Sequence, residues 1–183
     1  GFVLVLGPWW LRNLSVVGSV ANPGGLRLLW MLSYDDLFSY PAEVLNFERW
    51  RQAGLATLLA ARGSALLWNS ARVVAENGLV FLGPFMLLGA IRLWSRPLVR
   101  LPIYYLGLLF GVMTIVFPFI GPRGAFFHSS TAAMPVLWAL APVGLRGALD
   151  WAGRKRNWDI GQARRVLGTA AMVLAAGLTM GLV

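Results

Sequence analysis

Five long apolar stretches, separated by arginine-rich connections, restrict this chain more than any other feature. A spanning helix needs about 20 mostly apolar residues. Residues 78–94, 101–120 and 129–149 meet or approach that requirement, and residues 1–11 and 166–183 look like partial spans. Charged residues make up only 13% of the chain and hydrophobic ones 58%. That balance excludes an ordinary soluble domain and a disordered segment. The expected fold is an all-α, polytopic transmembrane helical bundle of about five full or partial spans forming a single domain. Both ends fall inside apolar runs and neither has the basic start and cleavage site of a signal peptide. They read as cuts through spanning helices, so the chain is expected to be a fragment of a longer protein.

The net charge of +9 does not imply nucleic acid, because the basic residues sit between the apolar runs. Nine of the sixteen fall in two connections, Arg92–Arg100 and Arg146–Arg165. These must share a side, and arginine bias makes that side cytoplasmic. Segment 12–77 and loop 121–128 are then expected to face outward. The expected location is the bacterial cytoplasmic (inner) membrane, with several passes.

Segment 12–77 is too long for a plain linker. Pro23-Gly24-Gly25 signals a turn. Ser33 to Asp36 has capping-box spacing and predicts a short helix, and Pro41 suits the first turn of another. From about Glu43 to Asn77 the pattern is helical. Arg51, Arg62, Asn69, Arg72 and Glu76 fall on one narrow stripe, which predicts a solvated face on a helix along the membrane surface or the bundle. Gly63-Ser64 offers a point at which that helix could break in two.

Catalytic signatures such as a Walker loop, HExxH or GxSxG are missing from the sequence. Cysteine is absent and His128 is the single histidine, which argues against a zinc site. Three polar groups remain. Arg123, His128 and Ser129 precede the fourth span, where a helix N-terminus and a guanidinium suit an anion; the competing reading is a Ser129 cap with Arg123 reaching lipid headgroups. Arg12 and Asn13 follow Trp9-Trp10 and suit a phosphate and a sugar hydroxyl, or else an interfacial anchor. Asp35 and Asp36 suit sugar hydroxyls, a divalent ion or a base, or else helix capping.

In order along the chain, Pro8-Trp9-Trp10-Leu11-Arg12-Asn13, Gly18-Ser19, Pro23-Gly24-Gly25 and Tyr34-Asp35-Asp36-Leu37-Phe38-Ser39-Tyr40 resemble a stretch of the bacterial GT-C glycosyltransferases. These are the dolichyl-phosphate-mannose-dependent mannosyltransferase-like integral membrane enzymes. Phe47-Glu48-Arg49 to Asn77-Gly78, and Arg123-Gly124 to Pro135 with Leu137-Trp138-Ala139-Leu140, continue the resemblance, which covers nearly the whole chain. It implies a polyprenyl-phosphate sugar donor on the outer membrane face. It also implies an aspartate base in a first outer loop, expected ahead of Gly1, and a divalent metal in the intact enzyme but no cofactor within this stretch. The family's basic-residue and YLLP element takes the altered form Arg123…His128…Met134-Pro135. The alternative functions are a transporter or flippase for an amphiphilic anion and a non-catalytic membrane subunit.

Overall fold

The computed structural model describes residues 1–18, 20 and 25–181. Ser19, Pro23 and Gly24 of the expected turns, and Leu182 and Val183 of the last expected span, lie outside these residues. Among the described residues the regular structure is all helical. Helix α1 (Phe2–Val17) is followed by short 3-10 turns at Leu26–Trp30, Tyr34–Phe38 and Ala42–Val44. Helices α2 (Phe47–Gln52) and α3 (Leu55–Arg72) come next, and α3 runs on into a π-helical turn, Val73–Asn77. Then come α4 (Gly83–Arg92) and α5 (Pro97–Gly111), the latter extended by a π-turn at Val112–Val116. The chain continues through a 3-10 turn at Gly121–Arg123, α6 (Ala125–Ser130), α7 (Met134–Arg156) and α8 (Ile160–Gly181).

Among the described residues two helical stretches are long and apolar enough to cross a membrane, Pro97–Val116 and Ala125–Arg156. At 1.5 Å per residue they measure about 30 and 48 Å, against a hydrocarbon core of about 30 Å. The outward face of α5 is apolar: Leu98 is 79% exposed and Leu108 70%. A helix apolar on its outside as well as its inside is matched to lipid.

The stretch 78–94, expected as a full span, is not one. Leu79 and Val80 adopt left-handed backbone, with φ of 42° and 63°. Helix α4 therefore starts only at Gly83, and its ten residues cover about 15 Å. Gly78 sits so close to the Val73 and Val74 carbonyls that a Cβ would press on both. The chain can turn there only because Gly78 has no side chain. The stretch 166–183 was expected as a partial span; its described part lies in α8, which begins earlier, at Ile160, and has no buried residue.

Helix α4 packs along α7, and this is the tightest contact in the molecule. Met86, Ala90, Met134, Leu137, Leu140 and Ala141 form its core. Gly89 faces the Leu140 carbonyl, and Gly144 faces the Phe85 carbonyl and the Gly89 N–H, with no room for a Cβ at either position. Small residues let two apolar helices approach backbone to backbone, which maximises dispersion where lipid removes the hydrophobic drive.

The helix expected over 43–77 forms in two pieces. The break lies at Ala53-Gly54, where Gly54 has φ +80°, while Gly63-Ser64 stays inside α3. The stripe read as a solvated face turns partly inward. Arg51 is exposed and pairs with Glu48, but Asn69 is fully buried. Its amide donates to the Met113 carbonyl (3.3 Å) and the Thr114 hydroxyl (3.1 Å). Arg72 and Glu76 pair at 2.6 Å, both half-buried. The polar face of α3 is covered by the π-turn after α5, so its side chains find partners in the bundle.

Candidate functional site

The sequence folds locally around Asp36. The Ser33 hydroxyl accepts from the Asp36 N–H, and the Asp36 carboxylate accepts from Ser33 N–H (3.2 Å) and Leu32 N–H (2.7 Å). The same carboxylate takes two hydrogen bonds from the Arg49 guanidinium, at 3.0 and 2.9 Å. Burial pushes its pKa upward, but the Arg49 and backbone hydrogen bonds outweigh it. They hold the carboxyl below the ordinary aspartate value of 3.8. Both Asp36 oxygens thus accept hydrogen bonds, and the Asp35 carboxylate has no ion-pair partner among the described residues. Asp36 is engaged by Arg49, which leaves the Asp35-Asp36 pair poorly suited to a divalent ion, and among the described residues no group of three or more acids, histidines or cysteines is placed to hold one.

Asp36 is therefore a structural residue, and its loss has a predicted cost. Asp36→Asn removes the ionic acceptor while Arg49 and two N–H groups remain. A hydrogen bond to a charged group contributes about 1.5–3 kcal/mol, so the segment around Asp36 should lose about that much stability. In the wild type the pKa is depressed, so the contribution is full above about pH 4 and is lost as the pH falls through the folded-state value. Protease nicking within residues 30–50, measured from pH 7 down to pH 3 in wild type and variant, checks both points. Equal resistance of the two proteins at pH 7 would refute it.

This cap presents Tyr34 and Asp35 to a cavity of about 400 Å³. The opposite wall is the turn 118–123, with Pro118, Phe119, Pro122 and Arg123. The floor is α3, through Ser64 and Trp68. The Arg123 guanidinium lies over the Tyr34 ring, 4.9 Å from its centroid. Arg123 makes no ion pair among the described residues. A guanidinium stacked on an aromatic face keeps its in-plane N–H donors free, and those donors match the geometry of a phosphate.

The turn carrying Arg123 is held from behind. Gly121 is buried against the Met113 carbonyl and the Asn69 amide, where a Cβ would clash. Arg72 donates to the Pro122 carbonyl at 3.0 Å. Gly124, at φ +119°, then ends the turn and starts α6. The side chains of α3 that meet this turn, Ser64, Trp68 and Arg72, are spaced four apart and share one face.

The structure joins two of the three candidates and separates the rest. Asp35 and Arg123 line one cavity. Asp36 lies just behind it, engaged with Arg49. His128 is exposed on α6 beside Phe127. Ser129 was expected at the start of the fourth span, but that helix begins at Ala125. Ser129 therefore sits within α6, where its carbonyl accepts from the Tyr105 hydroxyl at 2.7 Å. Arg12 is exposed on α1 and Asn13 is buried there; neither lines the cavity beside Arg123. The sequence reading missed Ser33, Ser64, Trp68 and Phe119 as cavity residues. The polar stripe of α3 and the i, i+4 spacing of Ser64 and Trp68 were the available signals.

Comparison with protein-family models, curated proteins and solved structures finds no match to this chain.

Proposed function

We propose that this chain is part of a multi-pass integral membrane glycosyltransferase of the GT-C type, and that the cavity beside Arg123 receives a polyprenyl-phosphate sugar at the outer face of the bacterial inner membrane. One observation supports this reading: Arg123 and Asp35, neither ion-paired among the described residues, line the same aromatic-walled cavity. In this arrangement the Arg123 guanidinium binds the donor phosphate through paired N–H donors. Trp68 and Phe119 offer flat apolar faces to a sugar ring, while Asp35, Ser33 and Ser64 offer hydrogen bonds to its hydroxyls. The residues described hold and orient a donor, and no catalytic base is assigned among them. A divalent ion is not assigned to Asp35-Asp36, since Asp36 is already engaged by Arg49.

The test uses membranes containing the intact protein and a panel of labelled polyprenyl-phosphate hexoses. Release of sugar from one lipid donor is the expected result. No turnover of any donor, together with movement of the donor lipid between leaflets, would replace this reading with that of a flippase. The observation favouring the flippase is the buried polar string within the bundle. There Asn77 donates to Ser130 at 2.8 Å, and the buried Asn69 and Asn77 carbonyl oxygens lack partners among the described residues.

The proposed orientation is tested separately. This chain contains no cysteine, so single substitutions Ala125→Cys and Lys155→Cys are compared with the unsubstituted protein as the labelling background. An impermeant thiol reagent added outside intact cells should label position 125 and spare 155. The opposite pattern would invert the topology.

A further inference from the structure

A second amphiphile-shaped feature lies along the C-terminal half of the α6–α7 rod, where α8 packs on it. Arg146 lies 21 positions after Ala125, where the rod begins just past the Arg123 turn, about 32 Å along a helix rising 1.5 Å per residue. That matches one hydrocarbon thickness of about 30 Å plus a short overhang. A rod that places Arg123 in one headgroup layer places Arg146 in the other. Beside Arg146, α8 meets α7 closely at the turn, where Ile160 packs on Gly153. Above that contact a groove of about 560 Å³ opens between the two helices. Its walls are apolar, including Trp138, Leu145, Leu149 and Met172, and its charged lining is Arg146 and Arg164. Arg164 is paired with Asp150 at 2.6 Å. Arg146 is exposed and has no ion-pair partner among the described residues.

We infer that this groove binds one anionic phospholipid from the leaflet opposite the Arg123 cavity, with its phosphate on Arg146 and one acyl chain along the α7–α8 groove. The charge pattern selects this occupant. A long apolar trough with cationic groups at one end complements a molecule that is apolar along its length and anionic at one end. A soluble anion would leave the trough empty, and a zwitterionic lipid would bring a choline cation that offsets its phosphate beside Arg146 and Arg164. Basic pockets between membrane helices recognise anionic headgroups on this principle. The inference does not depend on the proposed transferase activity.

The intact protein, purified in neutral detergent, is offered phosphatidylglycerol and phosphatidylcholine at equal concentration, and retained lipid is counted by native mass spectrometry. One or two arginines near an anionic lipid correspond to a preference of roughly five- to thirtyfold for phosphatidylglycerol. Arg146→Gln should bring the ratio close to unity, and Arg146→Lys should keep most of it. Ala171→Trp, which fills the groove, should remove retention of both lipids. Arg165→Gln changes an exposed arginine that does not line the groove and should behave as wild type. The inference is overturned by absence of retained lipid, by equal retention of the two lipids, by a preference that survives Arg146→Gln, or by one that Arg165→Gln reduces equally.

Discussion

Arg123→Ala in the intact protein is expected to lower donor use by roughly ten- to a hundredfold. A charge-assisted contact contributes about 1.5–3 kcal/mol, and each 1.4 kcal/mol is a factor of ten. The protein should fold as before, because the Arg123 side chain is exposed and its turn is held by backbone contacts. Arg123→Lys should recover only part of the loss, since an ammonium cannot make the paired contact that a guanidinium makes. Tyr34→Leu should cost less, about 0.5–1 kcal/mol for an exposed cation–π pair, or two- to fivefold. Kinetics against donor concentration check the series. An Arg123→Ala protein with undiminished donor turnover removes the phosphate assignment.

Gly144→Val is expected to have the largest structural effect of any single substitution in the chain. Its side chain would have to occupy the place of the Phe85 carbonyl and the Gly89 N–H. Both are backbone atoms of a helix, so no rotamer change makes room. Overpacking of a core costs typically 1–3 kcal/mol when side chains can adjust, and here α4 as a whole must move off α7. Separation would also uncover Met86, Ala90, Leu137 and Leu140. Gly144→Val should therefore aggregate or be cleared from the membrane, and Gly144→Ala should show a clear loss of thermal stability. Gly168→Ala is the control: a Cβ there meets nothing within 4 Å. Detergent-solubilised yield and a thermal melt of the three proteins measure this. A Gly144→Val protein as stable as the Gly168→Ala control would show that the α4–α7 contact is looser than described.

Hydropathy made the helical, apolar character of the chain readable, and the Ser33/Asp36 spacing made the capping box at Tyr34–Phe38 readable. Both signals are local. The length of α4 was hidden because Leu79 and Val80 are poor residues for left-handed backbone, so nothing in their identity announces a turn. The inward face of α3 was hidden because a polar stripe has the same period whether water or a neighbouring helix covers it. The cavity was hidden for a third reason. Tyr34 and Asp35 meet Arg123 only through the packing of two distant segments on α3, and spacing along a chain carries no record of such a meeting. The single polar groups were visible, but not which of them share a space.

The hydrogen bond from Arg72 to the Pro122 carbonyl bears on how quickly a ligand is captured. A loop that must order itself on binding gives up part of its contact energy to lost conformational freedom. The backbone beneath Arg123 is already fixed, by Arg72 on one side and by the Gly121 contact with Met113 on the other. A phosphate arriving at the cavity therefore has only one flexible side chain to immobilise, and that side chain already rests on Tyr34. Encounter should then proceed without a waiting step for loop closure. Cutting the Arg72 tether should slow association while leaving the chemistry of the guanidinium itself untouched.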